Sequence, residues 1–164
     1  MQSLLEHLSE DVGRALTSAR VTVSCAESCT GGLLTSILTD VPGSSSYVMG
    51  SVVSYSNDVK MRLLHVSPDT LTAYGAVSEE TARAMAEGVR TLIQTDIGVA
   101  VTGVAGPGGG TPEKPVGLVY IAVSSARSTV AVKKQLNGTR VENKRASVQK
   151  ALEMIRDMIR SKNG

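Results

Sequence analysis

The sequence contains no phenylalanine, no tryptophan and only four tyrosines in 164 residues. Hydrophobic residues still make up 41%, so the core must be assembled from Val, Ile, Leu, Ala and Met. The same scarcity excludes the aromatic platform on which single-stranded nucleic acids stack. Histidine is nearly absent too: His7 and His65 are the only two. Little is left for a Ser-His-Asp triad or a histidine-rich metal centre. Cysteine is limited to Cys25 and Cys29. A C-x₃-C pair without further Cys or His nearby is a poor zinc signature and a poor disulfide framework; it reads as two reduced, buried thiols.

Charge of one sign is also missing. The 17 basic and 15 acidic residues are interspersed, a solubility pattern rather than a nucleic-acid footprint. One stretch departs from this, where Lys133, Lys134, Arg140, Lys144 and Arg145 fall close together. It reads either as a solvated strand end and helix face or as the source of one arginine that reaches a small anion. No secretory apolar segment opens the chain and no apolar run approaches a membrane span. The expectation is a soluble, cytoplasmic protein with neither membrane nor nucleic-acid partner.

What is present is a regular alternation of elements over one domain, residues 1–164, with no repeat and no linker. Leu4, Leu5, Leu8, Val12 and Leu16 recur at helical spacing, with Ser3 and Glu6 placed for a capping box and an end near Arg20. Val21–Cys25 predicts a strand, Leu33–Leu38 a helix, and Tyr47–Tyr55 a second strand. Ser56 and Ser67-Pro68 open two short helices, and Ser78-Glu79-Glu80-Thr81 opens a longer one. Ile97–Val101 is nearly all apolar, as in a central strand covered on both faces. A Gly- and Pro-rich loop from Thr102 to Pro115 follows. Val116–Ser124 and Ser128–Leu136 then form a hairpin, and a last helix runs from about Arg140 to Arg160. This order predicts a three-layer α/β/α sandwich with a mixed, mostly parallel five-stranded sheet.

Chemistry concentrates in three loops at the carboxyl ends of predicted strands, where open α/β sheets bind ligands. The first is Ala26-Glu27-Ser28-Cys29-Thr30-Gly31-Gly32. Ser28 is the candidate nucleophile, and the backbone of Thr30, Gly31 and Gly32 offers N–H groups for an oxyanion or a phosphate. The same turn also reads as an ordinary helix start capped by Thr30 or Ser28. A serine needs a base. His7 lies in the first helix, and His65 ends a short one, where a C-capping role suits it. Lys60 remains, since a desolvated lysine loses its proton; Tyr55 would orient it or relay the proton. Thr102-Gly103-Val104-Ala105-Gly106-Pro107 lacks both the P-loop ending and the dinucleotide spacing, and signals only close backbone approach. A Cys29-Glu27-lysine arrangement is the thiol alternative, and a nucleotide-binding or regulatory module without catalysis is the non-enzymatic one.

Taken in order, Ala26–Gly32, Tyr55-Ser56-Asn57 with Lys60, Gly75-Ala76-Val77-Ser78, Thr102-Gly103 with Ala105-Gly106-Pro107, and Lys114-Pro115-Val116-Gly117 closely resemble the CinA C-terminal domain family. The likeness runs from about Leu4 to Ile159. It implies an α/β/α sandwich, homo-oligomers, no metal or other cofactor, and hydrolysis of nicotinamide mononucleotide to nicotinate mononucleotide and ammonia in pyridine-nucleotide salvage. It implies Ser28 as nucleophile, Lys60 and Tyr55 as its activating partners, and Thr102, Gly103 and Gly106 as substrate contacts. It also implies Arg140 of Gly138-Thr139-Arg140 as a partner for the ligand phosphate. Thr139 stands where the family commonly has an acidic residue. The pyrophosphatase role of the N-terminal domain of larger members does not carry over to these residues.

Overall fold

A computed structural model describes residues 2–162 of the chain. Helix α1 (Leu4–Ala19) opens with the expected capping box: the Ser3 hydroxyl accepts from the Glu6 amide, and the Glu6 carboxylate accepts from the Ser3 amide. Arg20 ends it in the left-handed region (φ 55°), and the Val21 amide still donates to Leu16 O at 3.0 Å. Val21 is therefore tied to the helix end, and strand β1 (Val23–Glu27) starts two residues later than its composition predicts. Beyond it come α2 (Leu33–Thr39), a 3₁₀ turn (Ser44–Ser46), β2 (Val48–Val53), α3 (Asn57–Leu64), α4 (Pro68–Tyr74) and α5 (Glu79–Ile93). Ser56, Ser67 and Ser78 each accept a hydrogen bond from the amide three residues on, so all three start signals work as caps. Strands β3 (Ile97–Gly103), β4 (Leu118–Ser124) and β5 (Thr129–Gln135) and helix α6 (Arg140–Lys162) complete the chain.

The sheet order is β2-β1-β3-β4-β5. β2, β1 and β3 are mutually parallel; β4 runs against β3, and β5 against β4. Four strands thus point one way and β4 alone the other, the mixed, mostly parallel sheet the sequence predicts. One face is covered by α1, α2 and α6, the other by α5 with α3 and α4.

Without large aromatics the two faces divide by side-chain size. Toward α1 and α6 the strands present Val23, Cys25, Val99, Val101, Ile121 and Val123. Toward α5 an alanine row crosses the sheet in register, Ala26, Ala100, Ala122 and Ala131. α5 settles onto that row so closely that a Cβ at Gly98 would lie 2.1 Å from Ala86 O. It meets α3 just as tightly, where a Cβ on Gly88 would lie 2.0 Å from Leu64 O. Small side chains let layers approach, and the close-packed interior compensates in contact density for the missing rings.

The connection β1-α2-β2 runs over one face and β2-α3-α4-α5-β3 over the other. The chain therefore switches faces at β2. The loops after β1, β2 and β3 emerge side by side at the sheet's carboxyl edge, the switch point where such sheets bind ligands.

Candidate active site

β1 carries the chain two residues past its predicted end, pairing through Glu27 with Val53 on one side and Val101 on the other. Ser28 is held at the exit by its amide, which donates to Val101 O at 2.9 Å. The neighbouring ladder is prolonged by the Ser54 amide, which donates to Glu27 O at 2.7 Å. This fixes the Ser54-Tyr55 main chain next to Ser28. One helical turn into α3, Lys60 points back into the gap. Its Nζ lies 3.1 Å from Ser28 Oγ, 2.7 Å from Ser54 O and 3.4 Å from Tyr55 O. Lys60 is 1% exposed, the largest of the fully buried side chains. Burial lowers its pKa from the ordinary lysine value, against a smaller opposing effect of Cys29.

The three partners of Lys60 decide how its neutral form sits. Two are carbonyl oxygens, which only accept; the third is a hydroxyl, which can donate. An amine with two N–H groups gives them to Ser54 O and Tyr55 O. Its lone pair is then turned toward the Ser28 hydroxyl.

Ser28 and Lys60 form the floor of a cavity of about 300 Å³. One wall is Tyr55 and Asn57, another Ala76 and Val77, and a third the loop through Thr102, Gly103 and Gly106, with Arg140 at the side. The Thr102 hydroxyl donates to Ala76 O at 2.8 Å and ties two of these walls together. The glycine-rich loop is an excursion closed at its base by two bonds between the Val104 and Leu118–Gly117 main chains. Arg140 Nη1 donates to Gly106 O at 2.7 Å and Nη2 to Tyr55 Oη at 3.3 Å, joining the second and third loops across the mouth. Among the described residues no carboxylate lines this cavity, whereas Lys60 and Arg140 both do. Among the described residues no three His, Cys, Asp or Glu side chains gather to hold a metal ion.

The profile of the CinA C-terminal domain matches residues 5–159. The chain belongs to the CinA C-terminal domain family. This CinA domain is 48% identical over 156 residues to a CinA-like protein of Endomicrobium trichonymphae, covering 95% of the chain and 36% of that protein. It is 50% identical over 143 residues to a CinA-like protein of Gloeobacter violaceus, covering 86% and 34%. The chain thus spans about a third of the length of these curated relatives. Among solved structures, the competence/damage inducible protein CihA from Agrobacterium tumefaciens superposes with a TM-score of 0.92 at 41% identity, over 94% of this chain and 95% of that one. A CinA superfamily protein from Klebsiella pneumoniae superposes with a TM-score of 0.93 at 29% identity, over 97% and 99%.

Of the residues singled out in the sequence, the CinA domain brings Ser28, Lys60, Tyr55, Thr102, Gly103, Gly106 and Arg140 to one cavity. Thr30, Gly31 and Gly32 are not on its wall. The Gly31 amide is already spent on Ser28 O at 3.1 Å, so it is not a free anion donor. Neither Ser28 nor Thr30 caps α2; Gly32 stands at the cap position without a side-chain bond. The cap comes from Glu27, fully buried, whose carboxylate accepts from the Leu34 and Thr35 amides at 2.9 Å each and from the Thr35 hydroxyl at 2.7 Å. The helix start that resembled a phosphate cradle is filled by the protein's own anion.

Tyr55 is also corrected. The residue is 64% exposed, its phenol accepts from Arg140, and no hydrogen bond joins that phenol to Lys60 or Ser28. Its main-chain carbonyl, not its hydroxyl, touches the lysine. Cys29 lines the cavity beside Ser28, but burial, reinforced by Glu27, pushes its thiol up to about 12, which removes the thiolate that cysteine chemistry needs. His65 takes the expected C-capping position at φ 56°. Thr139 keeps the start of α6 in order by exchange with Glu142: its hydroxyl accepts from the Glu142 amide and its amide donates to the Glu142 carboxylate.

Two braces went unread. Asn143, buried on α6, donates to Ala105 O and Gly138 O at 3.0 Å each and accepts from the Gly138 amide. Lys114 Nζ donates to Tyr74 O and Val77 O. An asparagine in the first turn of an apolar-striped helix was the one available signal for the first.

Proposed function

We propose that this domain hydrolyses the carboxamide of nicotinamide mononucleotide, giving nicotinate mononucleotide and ammonia, with Ser28 as nucleophile and Lys60 as its base. The observation that carries the reading is the buried Lys60 amine 3.1 Å from Ser28 Oγ, with its pKa lowered by burial. Ser28 Oγ attacks the carboxamide carbon while its proton passes to the Lys60 lone pair. The Cys29 amide, next to the nucleophile and without an acceptor among the described hydrogen bonds, donates to the developing oxyanion. As the C–N bond breaks, the Lys60 ammonium returns the proton to nitrogen, which leaves as ammonia. Water then attacks the Ser28 ester, giving a proton to Lys60; as the acyl C–O bond breaks, Lys60 returns that proton to Ser28 Oγ, and the acid product departs as its carboxylate, losing its remaining proton to solvent. Thr102, Gly103 and Gly106 shape the pocket around the substrate, and Arg140 meets its phosphate through paired N–H donors.

The deciding measurement is ammonia release from nicotinamide mononucleotide by the wild type and by Ser28→Ala. The wild type turns over; the variant loses at least about a thousandfold in kcat and still binds the nucleotide. Binding by the wild type without ammonia release identifies a nucleotide-binding module instead. Wild-type rates in Ser28→Ala refute the nucleophile.

A further inference from the structure

Lys144 sits one helical turn beyond Arg140 on α6, and residues four apart share a helix face. It is half-buried, yet it has neither an acidic partner nor a hydrogen bond among the described residues. Its Nζ lies over Gly31, 3.7 Å from where a Cβ would stand, in the turn that follows the nucleophile. From there its charge reaches the cavity wall, because it favours the ionised form of the Cys29 sulfur. A half-buried cation with no anionic partner among the described residues leaves its charge available to a ligand. Beside it is a cavity that, among the described residues, two cations and no carboxylate line. The first amides of α2 are already occupied, Leu33 by Thr30 O and Leu34 and Thr35 by Glu27.

We infer that Lys144 is a second cationic contact for the ligand's anionic group, acting with Arg140 to select a phosphomonoester over the nucleoside that lacks the phosphate. The inference rests on the amidohydrolase reading and adds a residue and a specificity to it. Arg140, with two of its donors already directed to Gly106 O and Tyr55 Oη, sets the place of the phosphate. Lys144, a point charge without a hydrogen bond or ion pair among the described residues, supplies the remaining charge from the Gly31 side.

The test compares nicotinamide mononucleotide with nicotinamide riboside as substrates, and uses ribose 5-phosphate as a competitive probe of the anion site. In the wild type the mononucleotide is preferred. Lys144→Gln raises KM for it about tenfold with kcat little changed, shrinks the preference over the riboside by the same factor, and weakens ribose 5-phosphate inhibition in parallel; these are the effects of losing one partly exposed charge-assisted contact. Lys144→Arg retains the preference. Raising ionic strength erodes wild-type affinity more steeply than that of Lys144→Gln. An unchanged KM and unchanged inhibition in a folded Lys144→Gln overturn the inference. So does a wild type that hydrolyses riboside and mononucleotide equally well. A wild type that releases no ammonia from either, but binds ribose 5-phosphate more tightly than Lys144→Gln does, refutes the amidase and leaves the anion contact standing.

Discussion

Lys60 and Ser28 lie 32 residues apart in sequence and meet at 3.1 Å because their two strands are adjacent and parallel and end at the same level. A parallel pair places both carboxyl ends at one edge of the sheet. A side chain leaving the first strand and another one turn into the helix after the second are thereby directed at the same point.

The state of Lys60 should govern both rate and stability with pH. Only the neutral amine accepts the Ser28 proton, so kcat/KM should rise with pH along a limb set below the ordinary lysine value of about 10.4. Lys60→Arg, which stays charged, should lose about 10²–10⁴ in kcat. For stability the sign is fixed by proton counts. Between the lowered folded value and the unfolded one, the unfolded chain holds a proton the native state lacks, so stability rises with pH across that window. Urea titrations at several pH values should show the wild type gaining on Lys60→Met as pH rises; a parallel pair of curves would contradict the lowered value.

Glu27 should matter for folding and turnover together. Its carboxylate accepts three hydrogen bonds out of contact with water. Glu27→Gln retains one acceptor oxygen and sets an NH₂ against an N–H donor. A loss of about 2 kcal/mol, or roughly 4–8 °C in Tm, is expected by calorimetry. The kcat should fall as the Ser28 turn loosens, with a smaller change in KM.

Cys29 should prove dispensable for chemistry. With its thiol pushed up to about 12, almost no thiolate exists at neutral pH. Cys29→Ala should keep kcat within about threefold of wild type, since only a small packing group is removed. Complete inactivation with the fold intact would revive the thiol mechanism.

Gly88→Ala tests the contact of α5 with α3. The added Cβ would lie 2.0 Å from Leu64 O, so the helices must separate. A destabilisation of about 1–3 kcal/mol in urea is expected. Because α3 carries Lys60, ammonia release should fall as well, though no atom of the cavity has been altered.

Most of the architecture was legible because periodicity and caps agree with each other. Ser56, Ser67 and Ser78 announced three helices, and each makes the bond its type implies. Ser28, Lys60, Thr102 and Arg140 were legible as well, the first three from the rule that strand ends carry chemistry and Arg140 from the resemblance. The failures share one cause, the reach of side chains across sequence. Strand β1 outlasted its apolar run because Glu27 is paired on both sides by strands the local sequence does not reveal. Thr30, Gly31 and Gly32 looked like anion donors, but they do not line the cavity, and the helix start beyond them is capped by a carboxylate seven residues upstream of Leu34. The Tyr55 phenol was drawn from Lys60 by an arginine 85 residues away. Local sequence reports propensity, and long-range pairing decides which of several local options is used.

The carbonyl oxygens that grip Lys60 belong to the peptide groups of Ser54 and Tyr55. Every amino acid carries that atom, so no single substitution at either position deletes it. A change of side chain at 55 therefore alters the rim of the cavity while leaving the oxygen that aims Lys60 in place. The aim of Lys60 is written in the backbone, and the character of the mouth in side chains.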